Sequence, residues 1–169
     1  MRIYLPATSE DLRHPEGLAP RAGHTVTPAL RRALPEEDDD GLADSALLAA
    51  ADESVVLLRS APGAAARRVV VAVDVAEEDV DVPRLRRPWQ PGDDRLPSAV
   101  DVRATVPWRD VASIHVDEDD AAADVAAAIA SDHALDRAAE RDLLWHDVTE
   151  RESLVTDLAA AAAASPTGS

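Results

Sequence analysis

The chain has 169 residues, a formal net charge of −16, 2% aromatic residues and no cysteine. Without cysteine there is no disulfide framework, no thiolate nucleophile and no Cys-based zinc site. The acidic balance makes nucleic acid and anionic membranes poor partners, since both require clustered cations. Lysine, asparagine and phenylalanine are missing too, and their codons are rich in A and T. The excess of Ala, Asp and Arg therefore reads as drift in a GC-rich genome. The missing lysine also removes the usual phosphate-binding loop, Schiff-base chemistry and a kinase-like lysine.

The hydrophobic content of 46% fits one globular domain with a core of Val, Leu, Ile and Ala. Charge is uneven: −5 over residues 1–66, 0 over 67–109 and −11 over 110–169. The acidic last third suits a basic partner or polyanion mimicry, against the plainer reading of a solvated acidic surface. The start of the chain lacks a basic segment followed by an apolar one, and the Ala159–Ala164 run is too short to span a bilayer. A cytoplasmic protein is expected.

In chain order, Arg2–Ala7 predicts a short buried strand ended by Pro6, and Thr8-Ser9-Glu10-Asp11 a brief helix stopped at His14-Pro15. Gly23–Thr27 reads as extended, Pro28 as the first residue of a helix, and Glu36–Gly41 as an acidic loop. That loop superficially resembles a calcium loop, but its twelfth position is Leu47 where a bidentate Glu is required. A helix over 42–60 carries Leu47, Leu48, Ala51, Val55 and Leu58 on one face. The β-branched run Val69–Val75, apolar on both faces, predicts a central strand. Residues 77–97 read as an irregular connection, and 99–106 and 112–116 as two alternating strands turned by Pro107–Asp110. Asp117–Asp120 is expected to cap a helix running to Ala130, and Leu135–Leu158 to be mostly helical. Residues 159–169 read as a flexible Ala/Ser-rich tail after one domain over 1–158. The predicted class is α+β or an α/β sandwich, with a mixed four- to five-stranded sheet covered by helices.

The pieces MRIYLPAT, HTVTPALR, VVLLRSAPG, RRVVVAVDV, VPWRDVASIHVDEDDAAADVAAAIA and DLLWHDVTERESLV, in this order, resemble an actinobacterial family of small cytosolic proteins known only as a domain of unknown function. The resemblance covers nearly the whole chain and implies a fold and a lineage; it carries no activity. The acidic loop at 36–41 and the connection at 83–97 look particular to this chain. A strand expected before the last helix reads as shortened around Asp132–Arg141.

Candidate chemistry is sparse. Asp74, His115 and Asp117 are the best set for a divalent metal, His115 and Asp117 sharing a strand face. The stronger competing reading makes Ile114 and Val116 the buried face, and Ser113, His115 and Asp117 the wet face of a half-exposed strand. Arg84, Arg86, Arg87 and Trp89 form the one basic, aromatic patch, suited to an anion, an acidic partner or the protein's own carboxylates. Tyr4, His24, Trp108, Trp145 and His146 complete the residues that composition drift does not readily explain. Trp145 reads as a core or interface anchor, and His146 as a helical neighbour of Asp147 that points away from it. A non-catalytic binding or regulatory module acting through protein contacts, a homodimer among them, is expected, with no cofactor. A metal-dependent hydrolase with a His/Asp site is the alternative.

Overall fold

The computed structural model describes residues 1–83 and 87–164. The strands are β1 (Arg2–Ala7), β2 (Arg21–His24), β3 (Val69–Asp74), β4 (Val80–Asp81), β5 (Ala99–Val102), β6 (Val111–Asp117) and β7 (Leu143–His146). The helices are α1 (Pro28–Ala33), α2 (Asp39–Arg59), α3 (Ala122–Ala130), α4 (Leu135–Ala139) and α5 (Arg151–Ala164). One open α+β sheet runs in the order β4-β5-β2-β1-β3-β6-β7, with every neighbouring pair antiparallel. The mixed sheet of four to five strands is corrected to seven antiparallel strands among the described residues. The two extra strands, β4 and β7, lie at the sheet's two ends: β4 has two residues, and β7 falls inside the stretch read as helical.

β3 lies inside the sheet, between β1 and β6, and its Val69, Val70, Val71 and Val73 are buried on both faces. The two alternating strands before and after Pro107 do not form a hairpin. β5 pairs with β2, and β6 pairs with β3 on the far side of β1. The chain crosses through an isolated bridge from Leu18 to Val106. There Gly17 takes φ +121°, and a Cβ would meet the Val106 carbonyl oxygen at 2.0 Å.

One face of the sheet carries Ile3, Leu5, Val71, Val73, Ile114 and Val116 and is closed by Leu154 and Leu158 of α5. Residues Ala159–Ala164, expected in a tail, are helical, and Ala161 and Ala162 pack against this core. The other face meets α2, whose Ala50 and Ala51 lie against Val70 with Tyr4, Leu47 and Leu143 around them. α2 begins inside the expected acidic loop, because the Asp38 carboxylate accepts the Gly41 N–H at 2.9 Å and caps the first turn. Of the predicted stripe, Ala51, Val55 and Leu58 are buried and Leu47 is half-buried against the core; Leu48 is the exception. Leu48 is 47% exposed, while Ala46, Ala50 and Ser54 are fully buried. The helix lies close to the sheet, so small side chains take the contact. The Ser54 hydroxyl donates to the Ala7 carbonyl at 2.7 Å and accepts the Val69 N–H at 3.0 Å, serving the main chain where β1 and β3 meet. A smaller core forms where Val55 and Leu58 of α2 meet Val125, Ala128, Ala134 and Ala138.

The stretch read as helical over Leu135–Leu158 is interrupted. β7 lies within it and joins the sheet beside β6. Leu143 and Leu144 carry no helix-breaking signal, so the strand is chosen by the open edge of β6. Asp117 does not cap α3 either: it ends β6 and is fully buried, and the N-cap of α3 is Ala121, with no side-chain bond.

Candidate functional site

The three residues of the expected metal site do not meet. Asp74 ends β3 at the surface in a two-bond pair with Arg2 (2.8 and 3.0 Å). This hydrogen-bonded pairing holds its carboxyl below the ordinary carboxylate range. His115 sits beside Val70, four residues back along β3, so roughly 13 Å of strand separates the two positions. Its Nε2 contacts the Ser113 hydroxyl at 3.0 Å. Burial, then the nearby His146 and Arg2, lowers its pKa. Asp117 is spent on Arg68: its carboxylate accepts Arg68 Nη2 at 2.7 Å, Nε at 3.0 Å and the main-chain N–H at 2.6 Å. Its carbonyl oxygen accepts from the Arg67 guanidinium. The wet face expected for Ser113, His115 and Asp117 is instead largely covered: Ser113 and Asp117 are buried and His115 is half-buried. Among the described residues, no three His, Asp or Glu side chains are grouped to hold a metal ion.

In the basic patch, Arg84 and Arg86 lie outside the described residues. Arg87 pairs with Asp93 (3.1 Å), and the Trp89 indole donates to the Arg95 carbonyl (3.0 Å). Trp108 donates to the His14 carbonyl at 2.7 Å and lies under the Arg151 guanidinium, 4.6 Å from its ring centroid. Tyr4 is half-buried under α2, and burial raises its pKa.

His24 has partners that no sequence pattern announced. Its Nδ1 is 2.8 Å from the Ser98 hydroxyl, and its Nε2 lies 3.2 Å from a Glu53 carboxylate oxygen at an angle too poor for a hydrogen bond. Ser–His–Glu connectivity of this kind belongs to nucleophilic hydrolases. Here Ser98 is 2% exposed and His24 0%, so the hydroxyl is sealed from any substrate. The nearest openings are two surface clefts. One, of about 520 Å³, is lined by Pro6, Arg21, Ala22, Glu53, Val56 and Leu57; the other, of about 470 Å³, by Thr27, Arg32, Val82, Arg95 and Leu96. Neither is lined by His24 or Ser98. In the first, Arg21 is held by Asp11 (2.6 Å) and the Pro6 carbonyl (2.9 Å).

The remaining feature is the sheet's free edge. β7 presents Leu-Leu-Trp-His without proline, glycine or an acid. Trp145 is 60% exposed and Leu144 46%. Natural edge strands are normally blunted by charge, proline or brevity. β4 at the opposite edge follows that rule with two residues; β7 does not. Trp145 is thus on a strand instead of a helix, opposite His115. His146 lies opposite Ile114, its Nδ1 3.7 Å from Glu150.

Residues 1–155 match a family of unknown function (DUF6912). The chain belongs to this family. The matched span takes in all seven strands of this DUF6912 member and the first residues of α5. Neither the curated proteins nor the solved structures yield a match.

Among the residues that matter here, sequence reasoning missed Arg68, Ser98, Glu53 and Leu144. Arg68 left a signal, since an arginine opening a fully apolar strand needs a buried acid. Ser98 and Glu53 left none, because tertiary contact alone brings them to His24.

Proposed function

We propose that this DUF6912 protein is a cytoplasmic, non-catalytic binding or regulatory module that acts through protein contacts made at the β7 edge. The observation that carries this reading is the exposure of Leu144 and Trp145, one on each face of an edge strand free of blunting residues. An exposed leucine on one face and an exposed tryptophan on the other, flanking the outward main-chain groups of the edge, suit the addition of another protein's strand. Supporting it, the candidate carboxylates Asp74 and Asp117 are bound to arginines, which favours structural roles for both. An actinobacterial lineage is part of this proposal: it comes from the resemblance of the sequence segments, and the lack of Lys, Asn and Phe accords with it.

The test compares tagged wild type with Trp145→Ser in cells. Wild type is expected to associate with a second protein or with itself, and the variant to associate with neither. Equal association by the two, with both folded, overturns the reading.

A further inference from the structure

We infer that two copies of this chain join β7 to β7 about a two-fold axis passing beside Leu144, making one continuous antiparallel sheet. This rests on the reading of the β7 edge as a contact surface, and it names the occupant.

The main chain selects the register. Asp117 N–H bonds the Arg68 carbonyl (3.2 Å), and Glu118 N–H bonds the Asp142 carbonyl (3.4 Å). β6 therefore alternates its bonds between β3 and β7, and Asp142, Leu144 and His146 turn their main-chain groups toward β6. By the same alternation, Leu143 and Trp145 turn their N–H and C=O groups outward. Beyond them the outward groups are already used. The Arg141 carbonyl accepts from Arg68 (2.9 Å) and its N–H bonds Ala138 (3.1 Å). The Asp147 N–H bonds the Glu150 carboxylate (2.8 Å), and its carbonyl accepts the Glu150 N–H (3.0 Å).

Setting Leu143 opposite Leu143, or Trp145 opposite Trp145, would bring in those occupied groups and leave one usable pair of bonds. Setting Leu143 opposite the partner's Trp145 uses both free residues of each copy and makes two such pairs. In that register Leu144 faces the partner's Leu144, and Asp142 faces the partner's His146. The exposed apolar side chains cover one another, and the outermost acid meets an imidazole instead of a carboxylate. Such an isologous contact closes. After it forms, the sheet ends on both sides in β4, two residues long.

The chain has no cysteine, so a single introduced thiol reports the register. Residues facing one another as a non-hydrogen-bonded pair have Cα atoms about 4.5 Å apart, within disulfide range. Leu144→Cys is expected to convert under mild oxidation into a covalent dimer, and Leu57→Cys on α2 to stay monomeric. Light scattering of wild type is expected to give twice 17.9 kDa, and Trp145→Arg, folded by circular dichroism, half that mass. A monomeric wild type, or Leu144→Cys cross-linking no more than Leu57→Cys, overturns the inference. If the monomer still captures another protein in a Trp145-dependent way, the contact surface stands and self-pairing falls. If capture is also indifferent to Trp145, both fall.

Discussion

Arg68 and Asp117 form an ion pair in which both side chains have 0% exposure, joined by three guanidinium contacts and a main-chain N–H. The pair ties the start of β3 to the end of β6, and a further bond from Arg68 to the Arg141 carbonyl reaches toward β7. One guanidinium nitrogen, Nη1, has no hydrogen-bond partner. Removing one partner of a buried pair strands a charge, at about 3–5 kcal/mol. Asp117→Leu is expected to lose stability on that scale in urea denaturation. The double variant Arg68→Met/Asp117→Leu is expected to regain most of it, because neither charge then needs solvation. A double variant no better than Asp117→Leu would falsify this account.

Ser98 and His24 are expected to behave as structure. Ser98→Ala removes a partner from a fully buried imidazole nitrogen and is expected to cost about 1–3 kcal/mol. A serine-reactive fluorophosphonate is expected to leave the native protein unmodified, as mass spectrometry would read. Labelling at Ser98 would show that the hydroxyl opens to solvent.

The depressed pKa of His115 makes a signed pH prediction. Burial is the main cause, with His146 and Arg2 adding to it, so the folded protein takes up this proton less readily than the unfolded chain, whose ordinary value is 6.5. The associated stability is fully present above pH 6.5 and declines as pH falls from there toward the lower folded-state value. His115→Gln is expected to flatten that part of the wild-type stability curve, measured as the denaturation midpoint at successive pH values. An unchanged slope in the variant would assign the acid sensitivity to other groups.

Where α2 lies on the sheet, size matters more than hydrophobicity. Ala50→Leu places a larger side chain against Val70 and is expected to cost about 1–3 kcal/mol by overpacking. Leu48→Gln, at an exposed position, is expected to stay within about 0.5 kcal/mol of wild type. Thermal melts of the two, side by side, check that Leu48 lies outside the buried face. Equal losses would return Leu48 to the stripe read from sequence.

Local chemistry was legible where the chain decides its own conformation. The Val69–Val73 run forms a strand inside the sheet, where its β-branched residues are buried on both faces. Pro28 opens α1 as its fixed φ predicts, with Thr27 capping the first turn. Family membership was legible too, since it rests on the order of residues along the chain. The pairing of distant segments was not. β5 and β6 look like a hairpin by spacing, yet lie on opposite sides of β2, β1 and β3, because strand neighbours are chosen by which edge is open when packing completes. β7 reads Leu-Leu-Trp-His, with no alternation of apolar and polar residues to mark a strand, and pairing with β6 makes it one. The candidate site followed the same division. Sequence identified His24, His115 and Trp145 as unusual, but only the fold sealed His24 against Ser98, half-buried His115 on β6 and left Trp145 in water on an open edge. Residue type sets what a side chain is capable of, and exposure, which depends on the whole fold, decides whether it meets a partner.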